Sequence, residues 1–185
     1  MNVSPDRELL ITGAKDFLKA SGAIATFGGE IWDIGVSVLK NYAPQLRTAA
    51  GIPLDPGKIQ AYPKDGYVNS EHDGQNAQLG PCWPLTGGNF FNLYVWWRIS
   101  EKHVGNEVCS AVASVGCRNL TVADTLERAV RTASRNRSRL DDYEVYFEQP
   151  LSAEDFIHLE SRYGMVVEKW IGVCKKIGGL KKYLK

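Results

Sequence analysis

Apolar positions recur at helical spacing through the first fifty residues. Leu10, Ala14, Phe17 and Leu18 fall on one side of a helix that Ser4 caps and Pro5 opens, with Asp6 and Glu8 at its positive end. Ser21-Gly22 reads as its stop. A second helix is expected from about Ile24 to Tyr42, with Ile24, Phe27, Ile31, Ile34 and Val38 as its apolar stripe. Pro44 marks its end, with room for a further helical turn through Ala50. Residues 1–50 are therefore expected to form an N-terminal helical hairpin. Gly28, Gly29 and Gly35 lie inside the second helix, where each glycine costs about 1 kcal/mol relative to alanine. Their presence predicts a close approach, most simply of one helix to the other.

Periodicity is lost over residues 51–89, where Pro53, Pro56, Pro63, Pro81 and Pro84 are mixed with seven glycines. This stretch predicts a long loop. Tyr62, Tyr67, Leu79, Trp83 and Leu85 are too apolar for a free linker, so the loop is expected to pack on the body with Trp83 and Leu85 buried. A short strand near Tyr67-Val68 is compatible with this.

From Phe90 a two-residue alternation takes over. "FFNLYVWWRIS" predicts a strand over Phe90–Ser100, Gly105-Asn106 turns the chain, and "EVCSAVASVGC" returns over Glu107–Cys117. Thr121 is expected to cap the helix of "TVADTLERAVRTASRN". A third strand follows over Asp142–Gln149. Ser152 then opens a last helix that Gly178-Gly179 stops near Ile177. The strand, strand, helix, strand, helix order of residues 90–185 predicts a small mixed or antiparallel sheet with helices on one face. The fold class is α+β, with helical segment, packed loop and body forming one compact domain.

Composition narrows this picture only slightly. A hydrophobic share of 44% and a charged share of 23% are those of an ordinary globular chain, and a net charge of +1 leaves no whole-molecule field to attract nucleic acid or membrane. The apolar run Gly22–Leu39 is long enough to span a bilayer, but Glu30 and Asp33 sit within it. Each would cost about 2.5–3.5 kcal/mol at the bilayer centre, which argues against a span. None of Cys82, Cys109, Cys117 and Cys174 forms a CxxC pair, and Met1–Asp6 has no secretory character, so reduced thiols and a cytoplasmic location are expected. The even spacing of Cys109 and Cys117 puts both on one face of a strand.

Chemistry-bearing residues are sparse, and no cofactor motif is present. Glu71, His72 and Asp73 stand together in "SEHDGQN" and combine ligand types a divalent ion accepts. Neighbouring side chains diverge on an extended backbone, so "SEHDGQN" is expected to be a surface turn. A metal-dependent hydrolase or nuclease would need help from Glu144 or His158. Arg128, Arg131 and Arg135 fall three and four apart on one helix face, Arg137 and Arg139 follow, and Lys175, Lys176, Lys181, Lys182 and Lys185 lie later. Such a stripe suits phosphates, and Trp96, Trp97 or Tyr94 offer stacking surfaces. Aromatic residues beside arginine also suit protein contacts, including self-association. The residues together point to a non-catalytic recognition protein that binds a protein partner or an anionic ligand such as nucleic acid. The hydrolase is the alternative, and a membrane-active effector with glycine-rich N-terminal helices is a third.

Overall fold

The computed structural model describes residues 5–71, 74–99, 108–134, 139–141, 143–152 and 154–184, with side chains over 27–59, 78–96, 109–134, 143–152 and 154–184. The chain divides into two compact units, Met1–Glu30 and Ile31–Lys185. The described part of the first is helix throughout.

Helix α1 spans Pro5–Ala50 without a break, so the expected hairpin does not form. A lone glycine such as Gly22 weakens a helix by about 1 kcal/mol but ends it only when the backbone turns left-handed and the last carbonyls find other partners. That happens at Gly51, whose φ is 66° and whose N–H returns to Arg47 O at 3.0 Å. Pro44 is tolerated inside the helix because it is exposed, leaving the carbonyl it fails to serve on the solvent side.

Residues 51–89 are the second correction. They contain two strands, β1 (Gln60–Glu71) and β2 (Gly74–Pro84), paired antiparallel from Gln60↔Cys82 to Glu71↔Gly74. The register shifts between Tyr62 and Tyr67, the interval that holds Pro63 and Gly66. Residues that resemble loop punctuation thus occupy an irregularity in a ladder, where proline is admissible. Trp83 is fully buried, as expected, and its indole N–H donates to Asp55 O at 2.6 Å. Leu85 is partly buried against the core.

The sheet continues through β3 (Phe90–Ile99), β4 (Val108–Gly116), β5 (Arg139–Asp141) and β6 (Glu144–Pro150). All pairings are antiparallel, in the order β1-β2-β3-β4-β6-β5. Helix α2 (Leu120–Ser134) packs on α3 and β6, and α3 (Leu159–Ile177) packs on β4 and β6. The architecture is α+β.

Alternation sorts the strands into two faces. Phe91, Leu93 and Val95 of β3, Ala111, Ala113 and Val115 of β4, and Val145 and Phe147 of β6 join one core with the helices. The two alanines let α3 approach closely enough for Trp170 to donate its indole N–H to Ala113 O at 2.7 Å. Phe91 and Phe147 meet the Trp170 ring edge-on, with centroids at 6.2 and 5.1 Å. Such contacts add about 0.5–1.5 kcal/mol each beyond area burial. Gly35 has the close approach its place in α1 implies, but to the sheet: an added Cβ would lie 2.6 Å from Pro81 Cδ. Cys109 on β4 and Cys117 just past its end both lie on the core side, and none of the four cysteines is in a disulfide.

Two caps differ from expectation. Asn119, not Thr121, caps α2, its Oδ1 accepting the Val122 N–H at 2.9 Å. The N–H and hydroxyl of Ser152 both donate to Asp155 Oδ2, at 2.7 and 2.9 Å, and a 3-10 turn over Glu154–His158 precedes α3. Asn89 is the buried tie of the body. Its Nδ2 donates to Thr86 O (2.7 Å) and Leu184 O (3.3 Å), while its Oδ1 accepts the Arg118 N–H at 2.9 Å. Among the described residues no helix is long and apolar enough to cross a membrane.

Candidate functional site

Helix α2 buries Val122, Ala123, Leu126 and Val130, which turns Asp124, Arg128 and Arg131 to solvent. The two arginines are engaged locally. Arg131 forms an ion pair with Glu127, and Arg128 Nε donates to Asp124 O at 3.3 Å. Arg135 and Arg137 lie outside the described residues, as does the side chain of Arg139. What sequence spacing alone could not supply is the neighbour. Lys176 Nζ donates to Ala133 O at 3.2 Å, which sets the end of α3, with exposed Lys175 and Lys176, beside the last turn of α2.

Trp96 does not belong to that surface. It follows Val95 on β3, so it faces away from the helix layer, half-buried between Gln78 and Ser110 of the neighbouring strands. The arginines and Trp96 are therefore on opposite sides of the sheet. Trp97 pairs with Ala77 and Cys109 through its backbone, and its side chain lies outside the described residues.

The proposed metal ligands are not gathered in what is described. Glu71 ends β1 opposite Gly74, its side chain outside the described residues, and His72 and Asp73 lie outside them altogether. His158 is exposed at the junction of the 3-10 turn and α3. Its neighbour Asp155 turns instead to Ser152 and Arg162. Those partners hold the Asp155 carboxyl at about 2, the Ser152 N–H contributing most, then the Arg162 guanidinium and the Ser152 hydroxyl. Among the described residues no three or more His, Cys, Asp or Glu side chains are grouped to hold a metal ion.

The side of the sheet away from the helices carries an arrangement that sequence spacing did not single out. Asn92, Tyr94, Ser110, Val112 and Ser114 are all buried there, yet they lie outside the apolar core. Asn92 Nδ2 donates to Ser114 Oγ at 3.1 Å and to Glu144 Oε1 at 2.8 Å, and the Tyr94 hydroxyl donates to Glu144 Oε2 at 2.9 Å. Gly116 makes room: a Cβ there would lie 3.3 Å from Asn92 Nδ2 and 3.7 Å from Glu144 Oε1. Asn92 Oδ1 is buried without a hydrogen-bond partner among the described residues. The available signal was an asparagine at the centre of the aromatic run "FFNLYVWW", in phase with Tyr94 and Trp96, and two serines four apart on β4.

Cys117 and Cys174 are poor nucleophiles. Burial, with the Glu144 carboxylate nearby, pushes Cys117 up to about 12, and burial alone does the same to Cys174. The Tyr42 hydroxyl donates to Glu168 Oε1 at 2.8 Å, a bond that together with burial raises its pKa. No family model, no curated protein and no solved structure matches the chain.

Proposed function

We propose that this chain is a non-catalytic recognition protein and that the basic end of its helix layer takes an anionic partner, a nucleic acid in the first instance. The observation that supports this is the Lys176–Ala133 contact, which joins residues 43 apart in sequence and sets the last turn of α2, the helix that carries exposed Arg128 and Arg131, beside Lys175 and Lys176. Positive residues near one helix end answer that helix's own dipole. Two helices ending side by side add their charges, which is what a run of phosphates requires. Exposure of Arg131 lets a phosphate displace Glu127 from it at little cost, since surface ion pairs are worth about 0–1 kcal/mol. Trp96 has no part in this surface. Four cysteines outside any disulfide suit a reducing compartment such as the cytoplasm.

The test is binding of labelled single-stranded and duplex oligonucleotides at low and moderate salt. Four neutralised phosphates would lower the parent's affinity by about 50- to 150-fold for a fourfold rise in salt. A combined Arg128→Ala, Arg131→Ala and Lys175→Ala variant should bind far more weakly, with a nearly flat salt dependence and an unchanged melting temperature. Unaltered binding by that variant, or no binding by the parent at low salt, removes the proposal.

A further inference from the structure

We propose that the length of α1 from Leu10 to Gly28 pairs antiparallel with the same length of a second copy of this chain. This surface is separate from the basic end of the helix layer and does not depend on it. Leu10, Phe17 and Ile24 stand seven residues apart, and Ala14, Ser21 and Gly28 form a second line of the same spacing between them. A seven-residue repeat is the one that holds a single seam of one helix against another. Both lines run on into Ile31, Gly35 and Val38. There the pattern is packed: all three are buried, and a Cβ on Gly35 would lie 2.6 Å from Pro81 Cδ. Burial stops short of residues 27–30. Phe27, Gly29 and Glu30 are exposed, Gly28 is half-exposed, and a Cβ on Gly29 would meet nothing within 4 Å. Every described residue of Met1–Glu30 lies in α1, so no other described element of that unit covers the stripe. Gly13, Gly22, Gly28 and Gly29 each cost the helix about 1 kcal/mol relative to alanine. A helix so weakened is held by what packs on its apolar face.

Residue size identifies the partner. When two copies run antiparallel about Lys19, each large residue of the seam meets a small one: Leu10 meets Gly28, Phe17 meets Ser21 and Ile24 meets Ala14. A parallel pair in register would set Phe17 on Phe17 and Gly28 on Gly28, with layers overfull and empty by turns. Small residues in every layer let the two axes approach toward the short end of the usual 8–10 Å. The pair is two-fold symmetric and uses the same patch on both copies, so association closes at the dimer. Charge argues against a lipid surface as the cover. Lipid-bound helices carry an excess of lysine and arginine on the polar face. Here Arg7, Lys15 and Lys19 are set against Asp6, Glu8, Asp16 and Glu30.

The experiment is sedimentation equilibrium of the full chain from about 1 to 100 µM, with and without phosphatidylglycerol vesicles. The mass should rise toward twice the 20.5 kDa of one chain. Ala14→Ile overfills the layer it shares with Ile24 and should weaken the dimer about tenfold or more. Adding Ile24→Ala to it exchanges large and small between the two copies and should restore the parent's dissociation constant. If Ala14→Ile does not fold, Phe17→Ala empties its layer and should weaken the dimer on the same scale. A parent that stays monomeric, whether free or taken up by the vesicles, would overturn the proposal. So would a dimer that Ala14→Ile or Phe17→Ala leaves intact. A double variant as weak as Ala14→Ile alone would rule out the antiparallel pairing.

Discussion

The two sides of the sheet hold their polar groups in different ways. On the helix side several charged contacts are local, Arg131 with Glu127 four residues away, Arg128 with Asp124 O at the same spacing and Asp155 with Ser152 three residues away, and the longer ones, Lys176 with Ala133 O and Tyr42 with Glu168, are exposed. They lie at the surface, where water competes for each. On the other side the bonds reach 22, 50 and 52 residues along the chain, from Asn92 to Ser114, Tyr94 to Glu144 and Asn92 to Glu144, and Asn92 and Ser114 are fully buried. Local exposed pairs can be exchanged for a partner at little cost. A buried long-range network is held in place by the fold.

That contrast sets the order of expected effects. Asn92→Leu should be the costliest change, because it strips donors from Ser114 and Glu144 together. A loss of about 2–3 kcal/mol in urea unfolding is expected, and a loss below about 0.5 would mean the network contributes nothing to the fold. Asp155→Asn comes next: it lowers stability at neutral pH, and its difference from the parent closes in acid. The folded carboxyl titrates at about 2 against an ordinary 3.8, so its stabilisation is complete above about pH 4 and is lost as pH falls through the folded value. The parent's urea midpoint should therefore drop over that interval more steeply than the variant's. Equal slopes would show that the Ser152 and Arg162 contacts do not persist in solution. Arg131→Ala should change stability least, by under about 0.5 kcal/mol. A larger loss would make the arginine a structural group and blur the division between the two sides.

The alternation of large apolar residues made β3, β4 and β6 legible: Phe91, Leu93 and Val95 repeat at a period no helix shares. Helices α2 and α3 were equally readable from their apolar stripes. Strands β1 and β2 were not, because Pro63 and Gly66 sit at a register shift and Pro81 and Pro84 within a ladder, and local rules treat all four as chain breaks. The continuity of α1 was hidden for a related reason. Gly22 and Pro44 lower helix propensity, and propensity yields wherever enough neighbouring turns persist. For the candidate surfaces, spacing placed Arg128 and Arg131 on one face but was silent about Lys176 at Ala133, a contact made only in three dimensions. Asn92 looked like one more strand residue, because nothing near it in sequence announces Ser114 or Glu144.

Asn89 has a consequence for how this body comes apart. One amide joins the turn at Thr86, the loop at Arg118 and the segment at Leu184. Those are three places where a chain ordinarily frays, each alone and at low free-energy cost. Here none can open without stranding the buried amide that serves the other two. Fraying at Leu184 is thereby coupled to the β2–β3 connection and to the entry of α2, so three weak points unfold as one cooperative unit.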